Sequence, residues 1–171
     1  GLVTSVKSYS QMDRGSFQRI DVTDGVESTL VMFAHKLTPG VDIVREYADD
    51  VPQIDAFAGE LNQVWTNLID NAIDAMDGQG TITLSTSSKS GRVVVQVADT
   101  GSGMTPEVVE HIFDTFFTTK DVGKGTGLGL SIARRIVVDQ HGGDLAVESA
   151  PGHTVFSVTL PVHQTSGDAP V

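Results

Sequence analysis

The sequence predicts an α+β domain in which helices cover one face of a mixed, mostly antiparallel sheet. Three observations carry this. The segment from Ala58 to Met76 repeats apolar residues at the helical period, and later segments alternate apolar and polar residues around short glycine turns, as hairpins do. Helices and hairpins then follow one another with few strand-helix-strand alternations, which favours a two-layer sandwich over a parallel sheet.

Taken in order, Leu2, Val3, Val6 and Tyr9 stand at near-helical spacing and Asp13-Arg14-Gly15 closes that segment, so residues 1–15 read as the end of a helix that began upstream. Val26, Leu30, Phe33, Ala34 and Leu37 form a helical stripe over residues 24–37, ended by Thr38-Pro39-Gly40. Val41 to Tyr47 alternates around Val41 and Ile43, an edge strand before Pro52. In the helix of Ala58 to Met76 the apolar set is Leu61, Val64, Trp65, Leu68, Ile69, Ala72, Ile73, Ala75 and Met76, which puts Asn67 and Asn71 one turn apart on one face. Ile82 and Leu84, then Val93, Val95 and Val97, flank Lys89-Ser90-Gly91 as a hairpin, with Asp99 just past its end. Pro106 opens a short helix through Val109 and Ile112, and a helix follows from Leu130 to His141. Leu145 and Val147, then Val155, Phe156, Val158 and Leu160, give a last hairpin around Pro151-Gly152, and residues 163–171 form a polar tail expected to be disordered.

Composition sets the class. A chain of 171 residues with 39% hydrophobic content is long enough for one core and too short to need two. Its 11 basic against 22 acidic residues, a net charge of -11, argue against a protein that tracks nucleic acid. The absence of cysteine removes disulfide, thiolate and zinc-thiolate chemistry together. No apolar stretch is long enough to span a bilayer and no signal-peptide pattern is present, so the expected location is cytoplasmic, without membrane contact by this piece, whatever anchors its parent. A start at Gly1 reads as a piece cut from a longer protein.

The chemistry begins at Gly123-Lys124-Gly125-Thr126-Gly127-Leu128-Gly129-Leu130-Ser131, where alternate glycines feed into the stripe Leu130, Ile132, Ala133, Ile136 and Val137. A glycine loop opening a helix brings backbone N–H groups to an anion, and the positive end of the helix favours negative charge there. A P-loop is excluded, because Gly123-Lys124 is followed by Gly125 and not by Ser or Thr. The dinucleotide fingerprint fails too, because Gly127-x-Gly129 reaches Ile132 where a third small residue belongs. Upstream stand Asp99-Thr100-Gly101-Ser102-Gly103-Met104 and Asn67-Leu68-Ile69-Asp70-Asn71-Ala72.

Three motifs in this order resemble the Bergerat-fold (GHKL) ATPases and kinases, and specifically the catalytic ATP-binding domain of bacterial two-component sensor histidine kinases. Asn67 to Ala72 resembles the family's N box and Asp99 to Gly103 its first glycine box. Ile112 to Lys120 resembles its F box and Gly125 to Leu130 its second glycine box, the likeness covering most of residues 20–160. It implies a Bergerat-type α/β sandwich over residues 16–162, with ATP and Mg²⁺ as cofactors.

The resemblance also implies roles. Asn71 is the Mg²⁺ ligand, a neutral amide oxygen suiting a cation that keeps water and phosphate oxygens around it. Asn67 is catalytic and serves the phosphates; relatives that hydrolyse ATP carry a glutamate there, and asparagine is a poor general base, so ATP is held for transfer. Asp99 accepts a hydrogen bond from the exocyclic amine of adenine. Gly101, Gly103, Gly125, Gly127 and Gly129 supply backbone geometry, with Leu128 between the last two. Lys120 and Lys124 are the candidate phosphate contacts, Lys120 in a catalytic role, and Thr154 matches a threonine near adenine. Phe113, Phe116 and Phe117 tie the segment between the glycine boxes to the core, while residues 118–127 are expected to be mobile without nucleotide and to order upon it.

A histidine kinase needs an acceptor histidine. His35 is followed by Lys36, and Pro39 stands four residues away, which departs twice from the family's acceptor box of His, an acid and Pro five residues on. His111, His141, His153 and His163 read as surface or helix-end residues, with His141-Gly142-Gly143 a helix C-cap. The acceptor is therefore expected on a dimerisation domain outside this chain, of which residues 1–15 are the end, with a response regulator downstream. A hydrolase of the same fold, a serine kinase of the anti-sigma type and a non-enzymatic nucleotide-binding module remain as alternatives at this point.

Overall fold

The computed structural model describes residues 17–37, 39–114 and 129–163. The chain runs β1 (Phe17–Ile20), α1 (Val22–Met32), β2 (Val41–Tyr47), β3 (Ile54–Phe57), α2 (Ala58–Met76), β4 (Gly80–Lys89) and β5 (Arg92–Asp99). It continues through α3 (Pro106–His111), α4 (Gly129–Arg134) with a π-helical extension Arg135–Gln140, β6 (Asp144–Ala150) and β7 (His153–Pro161). The main sheet has the order β2-β4-β5-β7-β6; only the β2–β4 pairing is parallel, so the mixed, mostly antiparallel sheet expected from the hairpin pattern is present.

Strand alternation decides which face is covered. Ile82, Leu84 and Thr86 of β4, Val93, Val95 and Val97 of β5 and Phe156, Val158 and Leu160 of β7 are buried beneath the helices. The other face is polar and open, and there Gln96 bridges Ser157 at 3.0 Å and Ser85 at 3.4 Å. Along α2 the buried positions Leu61, Val64, Trp65, Leu68, Ile69, Ala72, Ile73 and Met76 form the apolar stripe that seats the helix on this sheet. Removing one of them, as in Leu68→Ala, is worth about 2 to 5 kcal/mol.

Two elements go beyond the sequence reading. β1 and β3 form a separate two-stranded antiparallel ribbon with Phe17 opposite Phe57. It is held by a tilted contact of these rings at 4.8 Å and by Arg19 on Asp55 at 2.7 Å, and the Asp55 N–H donates to Val162 O at 3.0 Å. The expected helix over residues 24–37 begins earlier and is shorter: Asp21 caps Val22 by accepting from Thr23 N–H at 2.9 Å, and Phe33–Lys36 form turns. Glu27 fixes α1 to the edge strand through Arg45 at 2.6 Å and Tyr47 Oη at 2.5 Å. The helix expected over residues 130–141 starts at Gly129 and widens into π geometry at Arg135.

Candidate functional site

At one end of the sheet a polar row replaces the apolar one on the helix side: Asp99 pairs with Thr154, and Thr154 pairs with Ser149, across β5, β7 and β6. Asp99 is the last residue of β5, and the inward parity of Val93, Val95 and Val97 turns it inward as well, to 2% exposure. Its Oδ1 accepts the Gly101 N–H at 2.9 Å. Burial pushes this carboxyl above the usual range, against the opposing pull of the Gly101 N–H and of His153. Thr154 is equally buried, with Oγ1 2.7 Å from Ser149 Oγ, which in turn accepts the Met104 N–H at 2.8 Å. Ser149 was not singled out from the sequence, yet the parity Leu145, Val147, Ser149 already placed it on the inward face.

The loop after Asp99 lies against the end of α2. Ser102 N–H donates to Ala75 O at 3.3 Å, and a Cβ on Gly101 would fall 2.5 Å from that same oxygen. Gly103 has φ +80, in the left-handed region that glycine enters without strain, and a Cβ there would overlap Ala150 O. Thr100 ties the loop to β4, its Oγ1 accepting Thr81 N–H at 3.0 Å and its N–H reaching Thr81 O at 3.2 Å.

Asn67, Asn71 and Ala75 follow one another by single turns on the same face of α2, a stripe about 12 Å long. At its far end Asn67 Nδ2 donates to Gly129 O at 2.8 Å and Asn67 Oδ1 accepts from Gln63 Nε2 at 3.1 Å. At its near end Ala75 meets the Gly101-Ser102 turn. Asn71 lies between them, half-buried, and among the described residues its side chain has no hydrogen-bond partner. The two amides of the stripe thus differ: one is engaged on both sides and the other bonds to none of the described residues.

The other expected site residues divide. Asp99, Thr154, Gly101 and Gly103 lie at this end of the sheet, and Asn71, then Asn67 with Gly129, follow away from it along α2, whereas Lys120, Lys124, Gly125, Gly127 and Leu128 lie outside the described residues, as do Phe116 and Phe117. Phe113 does pack on the core, edge-on to Phe156 at 6.3 Å. Among the described residues no group of three His, Cys, Asp or Glu side chains can hold a metal ion, and no helix is long and apolar enough to cross a membrane. One amide with no partner among the described residues suits a Mg²⁺ that keeps most of its shell as water and phosphate oxygens better than it suits a metal caged by protein. His141, expected as a helix-end residue, does end the π-helical turn, but it is wholly buried.

The comparisons with known proteins agree with this geometry. Residues 58–164 match the family described as histidine kinase-, DNA gyrase B- and HSP90-like ATPase. The chain is similar to the sensor kinase CckA of Brucella abortus, 34% identical over 99% of this chain and 20% of that protein, so it spans about a fifth of the relative's length. It is similar to the catalytic domain of histidine kinase ThkA, with TM-score 0.80 and 32% identity over 88% of this chain and 98% of that one. A structure of ThkA in complex with the response regulator TrrA aligns with TM-score 0.73 and 30% identity, over 94% of this chain and 47% of that one. With the family model covering more than half of the chain and the fold shared with a whole catalytic domain, the chain belongs to the histidine kinase-, DNA gyrase B- and HSP90-like ATPases, as a catalytic ATP-binding domain of the sensor histidine kinase type.

Proposed function

We propose that this domain binds ATP with Mg²⁺ between α2, the Asp99 turn and the Gly129 end of α4, and passes the γ-phosphoryl group to a histidine on a dimerisation domain of its parent protein. The β–γ P–O bond breaks, a P–N bond forms on the imidazole, and ADP remains. The phosphoryl group then moves to a response regulator, the partner class named for ThkA. The observation that carries the reading is the stripe Asn67, Asn71, Ala75, with a glycine-box residue against each end and, between them, an amide that bonds to none of the described residues.

Each residue has a task in that reading. Asp99 accepts the exocyclic amine of adenine, with Thr154 and Ser149 beside it in the same polar row. Asn71 holds Mg²⁺, which when bound neutralises phosphate charge. Asn67 holds Gly129, while the family resemblance assigns phosphate contact to Lys120, Lys124, Gly125, Gly127 and Leu128. Asn67 offers no general base, its amide being engaged by Gly129 and Gln63, so transfer rests on positioning and charge and not on activated water.

Labelling with [γ-³²P]ATP and Mg²⁺, with and without a supplied dimerisation domain bearing the acceptor histidine, tests this. The expected result is acid-labile label on the supplied domain and none on this chain. Steady phosphate release without any acceptor would replace the kinase reading with a hydrolase, and label on the isolated chain would relocate the acceptor.

A further inference from the structure

The helical segment that begins at Gly129 is tied to α2 at both ends. Its first residue accepts the Asn67 amide at 2.8 Å, and the residue that ends it, His141, accepts the Phe57 backbone N–H on Nε2 at 3.1 Å. Phe57 is the N-cap from which α2 starts. The two segments therefore run antiparallel and are pinned at two points about 15 Å apart along α2.

The second pin is specific to histidine. Nδ1 lies 2.8 Å from Ile136 O, and a carbonyl only accepts, so Nδ1 carries the proton and Nε2 keeps the lone pair that the Phe57 N–H requires. The backbone N–H of His141 is turned to Val138 O, leaving the imidazole to reach back to Ile136 across the widened π-helical turn. The Phe57 ring meets the imidazole edge-on at 5.6 Å, and Phe17 packs against Phe57 in turn. Glu60, one turn into α2, is a charged group that acts on this ring.

We infer that His141 is a positioning residue for the nucleotide site: by pinning the far end of the helix to the start of α2, it sets the height at which Gly129 meets Asn67. No part of His141 touches nucleotide; it acts through the helix that carries the end of the glycine loop. The inference rests on the nucleotide-binding reading above only for its effect on affinity, because the Asn67–Gly129 contact exists in the chain alone.

The test uses the whole chain with His141→Phe, which loses both hydrogen bonds at similar size, and His141→Gln, which retains one acceptor and one donor on a flexible stem. The side-chain amide resonance of Asn67 is followed by NMR without nucleotide, and binding of a non-hydrolysable ATP analogue with Mg²⁺ is measured by calorimetry. A shifted Asn67 resonance is expected in His141→Phe, with Kd raised about fivefold, the worth of one net hydrogen bond, and partial recovery in His141→Gln. In an Asn67→Ala background the same change should fall to less than about twofold, because the two pins act on one contact. A folded His141 variant with lower Tm but unchanged Asn67 resonance and unchanged Kd would overturn the inference, as would full additivity with Asn67→Ala. If His141→Phe does not fold, His141→Gln decides by the same two readouts. If the wild-type chain binds no nucleotide, the proposed function fails, and the Asn67 resonance alone still decides the role of His141.

Discussion

Asn67 Nδ2 stands 2.8 Å from the carbonyl oxygen of Gly129, which joins the middle of α2 to the first residue of α4. With Gln63 on its oxygen at 3.1 Å, this asparagine is part of the fold as well as of the candidate site. Asn67→Ala is expected to lower unfolding free energy by about 1 kcal/mol, the net value of a hydrogen bond with one polar partner left behind. Urea denaturation measures it; an unchanged midpoint would mean that the contact contributes nothing to stability.

Asp99 is expected to show the opposite balance. Its buried carboxylate is disfavoured in the fold by desolvation, so Asp99→Asn should leave Tm unchanged or raised at neutral pH. The same substitution presents an amide N–H where the adenine amine must donate, which costs about 2 kcal/mol, or roughly 30-fold in Kd. Thermal melting paired with calorimetry reads both effects. A loss of stability together with unaltered adenine-nucleotide affinity would remove Asp99 from the site.

Gly101 is constrained by packing. An added Cβ meets Ala75 O at 2.5 Å, so Gly101→Ala must push the first glycine box away from α2, at an expected cost of about 1 to 3 kcal/mol. Ser102 N–H, which donates to the same oxygen, should become exchangeable, and hydrogen exchange at that amide detects it.

Acidification should act through His141. Burial holds its imidazole below the ordinary value of 6.5, so in the window beneath 6.5 the unfolded chain takes up a proton that the fold refuses. Stability from this group is complete above that window and falls as pH drops through it, by at most about 1.4 kcal/mol per pH unit. The exposed His111, raised by Asp114, has the opposite sign. The difference in Tm slope between wild type and His141→Phe from about pH 7 to about pH 5 isolates the buried group; identical slopes would refute its assignment.

Long periodic elements were legible. α2 was readable from end to end because eight buried positions repeat at one period, and the Ser90-Gly91 and Pro151-Gly152 hairpins because their strands alternate on one covered face. β1 and β3 were not, since each has four residues and finds its partner across the 33 intervening positions 21–53, with no repeat to reveal the pairing. The polar site was half legible. Motif order singled out Asn67, Asn71 and Asp99 as candidates, but which amide is engaged depends on where Gly129 O comes to rest, a property of tertiary packing. A histidine before two glycines reads as a surface cap, and only the Phe57 N–H and Ile136 carbonyl explain why it is buried.

The measurement closest to the central claim is a calorimetric titration of wild type and Asn71→Ala with a non-hydrolysable ATP analogue, with and without Mg²⁺. Because the Asn71 amide bonds to none of the described residues, the substitution should leave the unfolding free energy within about 0.5 kcal/mol of wild type while abolishing the Mg²⁺-dependent part of binding. Equal binding by both proteins, in either condition, would contradict the account and leave the stripe of α2 without a role in holding nucleotide.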